Sequence, residues 1–230
     1  MVRPYSPLAA ALAFVLTAAP ALAHGVAGAD AAFLNTSTGL QLAPYFYLGA
    51  KHMVTGYDHL LFLFGVIFLL RHFRDIALYV TLFSLGHSTT LLLGVLGGWQ
   101  VSPFLVDAVI GLSVAYKGFD NLSGFQTLFG RRPDPRWAVL LFGLVHGLGL
   151  ASKLQEFTLS PEALLPNMLA FNLGVEVGQM LALALILPVV NALRHLRNYD
   201  RVSLVANIAL CGAGLVLFFY QLAGHFLEVS

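Results

Sequence analysis

Residues 52–59 read "HMVTGYDH", placing His52, Asp58 and His59 just before the apolar run "LLFLFGVIFLL". Imidazole and carboxylate are the side chains that bind borderline divalent metals, hold protons or pair buried charges. Further along, apolar stretches enclose His87, His146 and Glu176, and each costs at least about 2.5–3.5 kcal/mol at the centre of a bilayer. Such groups need a partner or a task. In "FNLGVEVGQM" the spacing i, i+4, i+7 predicts that Asn172, Glu176 and Gln179 share one helix face. A carboxylate between two amides suits a metal ligand with supporting partners; the same amides also serve as hydrogen-bond glue between membrane helices. Ser84, His87 and Ser88 repeat the pattern, as do Ser113, Tyr116, Lys117 and Asp120, where Lys117 and Asp120 are spaced to neutralise each other at i, i+3.

The elements that must position these groups are membrane helices. The chain of 230 residues is 58% hydrophobic and 10% charged, against about 25% charged in soluble domains, and its mean hydropathy is +0.81. Six apolar segments, near 45–70, 76–98, 103–122, 137–153, 163–193 and 202–224, predict an all-α polytopic transmembrane bundle of about six helices over residues 44–226. Before it, Arg3, the core "LAAALAFVLTAAP" and "ALA" at 21–23 fit a cleavable signal peptide over 1–23. Residues 24–43 then form a short exported segment. Cleavage would make His24 the N-terminus, where its α-amine and imidazole can chelate a divalent metal. Arg71 and Arg74, then Arg131, Arg132 and Arg136, then Arg194, Arg197 and Arg201 follow alternate helices. By the positive-inside rule these loops are cytoplasmic and the N-terminus periplasmic, in a bacterial inner membrane. The Gly/Pro-rich loop "LSGFQTLFGRRPDPRW" carries no evident chemistry.

A net charge of +1 leaves no basic patch for nucleic acid. The single Cys211 excludes an internal disulfide and a cysteine-based metal site. At about 1.5 Å per residue, Asp58 and His59 lie roughly 18 Å from the cytoplasmic end, and His87, His146 and Glu176 fall near mid-depth on three other helices. That common level predicts a shared metal site. On an unbroken helix His52 and His59 stand about 10.5 Å apart along the axis, too far to clasp one ion whose ligand nitrogens lie near 2 Å. Either Gly56 interrupts the helix, or His52 and the Asp58/His59 pair are successive stations along a path. Successive stations are the expectation, with His52 near the exported surface. Ligands without thiolate suit Ni, Co, Zn or Fe(II) rather than Cu(I).

The elements "HMVTGYDHLLF" (52–62), "FSLGHSTTL" (83–91), "GLSVAYKGFDNL" (111–122), "FGLVHGLGLA" (142–151) and "FNLGVEVGQ" (171–179) resemble, in order, those of the HupE/UreJ family of membrane proteins. The resemblance implies a nickel or cobalt permease that supplies hydrogenase or urease, with His52, Asp58 and His59 as the metal-handling motif and His146 in a second, His-Gly motif. The expected function is therefore a divalent-metal permease. His52 and His24 would collect the ion, Asp58, His59, His87, His146 and Glu176 would relay it, Asn172 and Gln179 would support the relay, and Asp120 would mark the exit. The lack of a phosphate-binding loop leaves transport passive, ion-coupled or driven by a partner subunit or metallochaperone, and a homo-oligomer is compatible with the chain. A membrane metalloenzyme with a fixed ion, and a metal-delivery or assembly factor, are the rival readings.

Overall fold

The computed structural model describes residues 29–70, 72–157 and 161–229, apart from the side chains of residues 29, 57, 58, 69, 73, 228 and 229. The expected signal peptide, the segment from there to residue 28, and with them His24 and its expected chelate, lie outside the described residues. Those described are helical and form no strand: α1 (Ala29–Thr36), α2 (Leu42–Thr55), α3 (Tyr57–Leu69), α4 (Phe73–Gly97), α5 (Pro103–Asn121), α6 (Gly124–Phe129), α7 (Pro135–Leu154), a 3-10 turn (Pro161–Ala163), α8 (Leu164–Arg194) and α9 (Tyr199–Val229).

Four stretches are long and apolar enough to cross a membrane: Arg74–Gly97, Pro135–Leu154, Pro161–Arg194 and Tyr199–Leu227. The other two expected spans fall short of that measure for physical reasons. α5 carries Asp107, Lys117 and Asp120 within 19 residues. The segment expected as one helix over 45–70 is two, of 14 and 13 residues, broken at Gly56. Gly56 is extended (φ −72°, ψ 101°) and serves both ladders: its N–H closes α2 on the His52 carbonyl at 2.9 Å, and its carbonyl accepts from Leu60 N–H at 3.1 Å. The break thus leaves few orphaned backbone groups, which in an apolar medium is the condition for tolerating one.

The long helices associate as three close pairs, α2 with α8, α4 with α7 and α5 with α9. In a bilayer, apolar side chains gain little by leaving lipid for protein, so close backbone approach must supply the association. Glycine provides it in every pair. A Cβ on Gly49 would strike the Phe171 carbonyl, and one on Gly174 the Phe46 carbonyl. Gly143 and Gly147 meet the Phe83 and His87 carbonyls in the same way, while Gly111, Gly118 and Gly214 serve α5 and α9. These contacts make α2/α8 and α4/α7 parallel and α5/α9 antiparallel. "FSLGH" and "FGLVH" therefore lie side by side in one parallel pair, nearly in register.

Outward faces are apolar, with Leu85, Leu93, Leu141, Leu173, Met180, Leu185, Val216 and Phe219 all exposed, as a lipid environment requires. At the arginine-bearing end, the Arg194 guanidinium donates to the Ile67 and Phe68 carbonyls at 3.1 Å, capping α3 with a charge favourable to its dipole. At the opposite end Asn167 accepts from Gln41 N–H at 2.8 Å and donates to the Gly39 carbonyl at 3.0 Å, tying the entry chain to α8.

Candidate metal-handling site

The break at Gly56 shapes the interior. It lets α2 and α3 diverge, so that the His52 and His59 rings stand 4.9 Å apart between centroids. The unbroken helix that would hold these two histidines about 10.5 Å apart along its axis is corrected here: the chain adopts the glycine interruption. His59 then becomes a hub. Its ring lies 5.0 Å from that of His146 on α7 and 6.2 Å from that of His87 on α4. Four of the eight histidines, carried by four helices, therefore surround one buried level. His59, His87 and His146 are almost wholly enclosed, while His52 is half-buried toward the opposite end.

Aromatic rings wall this level. Phe83 stacks on His87 at 6.1 Å and meets His146 edge-on at 5.0 Å, and Phe62 lies 5.9 Å from His146. Phe171 stands 6.2 Å from His52. The neutral ring is the form of histidine that binds a divalent metal. The tautomer of one ring is fixed by geometry. His146 Nδ1 lies 2.7 Å from the Phe142 carbonyl; a carbonyl only accepts, so Nδ1 carries the proton and Nε2 presents the lone pair. Backbone support of this kind orients histidine ligands in metal sites. Two imidazoles on a shared tetrahedral ion hold their centroids roughly 5 Å apart, comparable with the closer spacings here. Nevertheless, among the described residues no three His, Cys, Asp or Glu side chains converge tightly enough to grip one ion.

Other expected members divide. Asp58 begins α3 next to His59, but its side chain is outside the described residues. Glu176 is exposed and is not brought to the histidines, a correction with a helical cause. At about 100° per residue, Glu176 is turned roughly 40° from Asn172, toward Leu173 and Met180, which face outward. The boundary of the packed face passes between Asn172 and Glu176. Gln179 accepts from the Ser84 hydroxyl at 2.6 Å, joining α8 to α4 one turn from His87. Asn172 is 6% exposed, and neither its amide nitrogen nor its oxygen has a hydrogen-bond partner.

Asp120 is not part of the histidine level. It lies toward the arginine-bearing end, where Lys117 reaches it at 2.8 Å and Arg132 donates through Nε at 2.7 Å and Nη2 at 3.0 Å. The expected Lys117–Asp120 neutralisation is present. The loop expected to carry no chemistry supplies Arg132, whose pKa is raised by the hydrogen bonds it donates to Asp120. Sequence reasoning missed Asp107 altogether. It receives Lys153 at 3.0 and 3.2 Å, and the two line the same small pocket as His52, His59 and His146. The only available signal was a carboxylate four residues into an apolar helix with a lysine at the end of another.

An all-helical membrane bundle whose interior gathers histidines from four helices is the class of protein these features define. The family model described as HupE / UreJ protein matches residues 28–229, and the chain belongs to the HupE/UreJ family. No curated protein and no solved structure matches it.

Proposed function

We propose that the protein is a divalent transition-metal permease, taking up nickel or cobalt through the histidine level between its helices. The HupE/UreJ family is associated with nickel/cobalt transport or with urease and hydrogenase maturation, not with enzymes. One observation carries the permease reading: three imidazoles from three other helices crowd around His59, and among the described residues they do not close on a single point. A resident cofactor needs a tight, closed set of ligands, whereas a conduit needs several weak donors between which an ion can step. Neutral nitrogens without thiolate suit nickel, cobalt or zinc as cargo.

In this reading the bundle lies in a bacterial inner membrane with the arginine-bearing end in the cytoplasm. His52 receives the ion from the periplasmic side, His59 passes it on, and His146 and His87 flank the step. His146 Nε2, presented by the bond from Nδ1 to the Phe142 carbonyl, is a donor held in place. An inward membrane potential favours entry by about 2.3 kcal/mol per charge per 100 mV, so no nucleotide is needed to drive it.

The test is entry of nickel, cobalt and zinc into proteoliposomes containing the full chain, with bound metal quantified in the same samples. Saturable entry that falls at least about tenfold in His59→Ala supports the permease. Metal that stays bound through dialysis, with no entry into the vesicles, would overturn it in favour of a fixed metal centre.

A further inference from the structure

The mouth of the histidine pocket holds a charged pair that the permease reading has not used. His146, Gly149, Leu150 and Lys153 follow one another at i, i+3, i+4 and i+7, so a single face of α7 lines the pocket. Lys153 lies about 10 Å beyond His146 along that face, toward the opposite end. Across from it α5 comes unusually close, since a Cβ on Gly149 would meet Val106 Cγ1 at 2.5 Å. The next residue, Asp107, is thereby set against α7 and is only 7% exposed. Lys153 reaches its carboxylate from the last turn of α7, with its own side chain 16% exposed. The remaining void is about 10 Å³, room for roughly one water-sized species.

We infer that Asp107 is the carboxylate that admits cations to the histidine pocket, and that the Lys153 ammonium occupies its cation position until a divalent metal displaces it. This inference builds on the permease reading. Among the described residues lining the pocket, Lys153 is the cationic side chain and Asp107 the anionic one, so an arriving ion meets the imidazoles of His52, His59 and His146 and a carboxylate paired with Lys153. A divalent cation interacts with that carboxylate twice as strongly as an ammonium at equal distance. Lys153 has somewhere to go: its long stem is anchored at a helix terminus, from which an ammonium can swing to the interface. The exchange raises the local charge by one, a divalent ion taking the place of a monovalent ammonium. The ammonium thus offsets the Asp107 charge until a metal arrives, and it selects against monovalent ions, which gain nothing over it.

The test uses the full chain in lipid nanodiscs and measures cobalt binding by equilibrium dialysis, with melting temperature as a control for folding. Lys153→Met should tighten cobalt binding about tenfold or more, Lys153→Arg should remain close to wild type, and Asp107→Asn should weaken binding about tenfold. In the Asp107→Asn background, Lys153→Met should have no further effect, because the competitor acts only through that carboxylate. Cobalt that binds wild type and is lost in His59→Ala, but binds a folded Lys153→Met no more tightly, overturns the inference and leaves the permease reading standing. No cobalt bound by folded wild type or Lys153→Met overturns both. Should Asp107→Asn not fold, the comparison of Lys153→Met with Lys153→Arg decides.

Discussion

His52 and His59 hold their rings 4.9 Å apart although an unbroken helix would separate them by two turns. The link between them is Gly56, which ends one helix and starts the next. Their proximity is thus a property of the backbone at one position, and it makes the pair sensitive to substitutions that touch neither imidazole.

Gly56→Ala should reduce metal entry several-fold while leaving overall helicity unchanged. Alanine is favoured over glycine within a helix by about 1 kcal/mol, so the substitution biases α2 and α3 toward one continuous helix. Its φ of −72° is accessible to alanine, so the variant should fold. Initial cobalt uptake in proteoliposomes measures the effect; an unchanged rate would mean that the His52–His59 pairing is not needed.

A second outcome follows from the glycine-packed pairs. Gly174→Ala should destabilise the protein by about 1–3 kcal/mol, because the added methyl is driven into the Phe46 carbonyl and α8 must move off α2. Gly212→Ala has nothing within 4 Å of the new Cβ and should be neutral or stabilising by up to about 1 kcal/mol. Thermal unfolding in detergent, followed by circular dichroism, separates the two. Equal melting temperatures would contradict the idea that glycine sets the distance between these helices.

How far the sequence reveals this arrangement depends on the range of the interaction. Helix positions were legible because long apolar runs between arginines have few alternatives in a membrane. The Lys117–Asp120 pair was legible too, since i, i+3 is a local relation. What lay hidden depended on tertiary contact. Periodicity places Glu176 beside Asn172 but cannot say where the packed face ends, and that edge decides its exposure. Asp107 becomes a site residue only when α5 meets α7 at Gly149. At Gly56 both outcomes were open, and packing of α3 among α2, α5 and α8 decides between them.

Glu176→Gln should leave cobalt stoichiometry and affinity unchanged within about twofold, because the side chain faces away from the histidine level. His146→Ala should remove a donor whose orientation is fixed by Phe142 and lower affinity at least about tenfold. Equilibrium dialysis of both variants supplies the comparison. A Glu176→Gln loss as large as that of His146→Ala would return this carboxylate to the binding site.

Asp120 offers the clearest separation of structural from transport roles. Its side chain is 1% exposed and answers two cations, Lys117 and Arg132, with Lys117 itself only 8% exposed. Removing the carboxylate in Asp120→Asn strands a buried ammonium, and breaking a buried pair in this way costs about 3–5 kcal/mol. Arg132 is 48% exposed and can regain hydration, so Lys117 carries most of the penalty. Lys117→Met added to Asp120→Asn should therefore restore most of the lost stability, since the uncompensated charge is gone. Thermal unfolding of the single and double variants measures this coupling, and cobalt uptake by the restored double variant measures transport. Recovery of both melting temperature and uptake would make Asp120 a brace for the arginine-bearing end. Recovered stability with uptake still abolished would instead put Asp120 on the exit path of the ion.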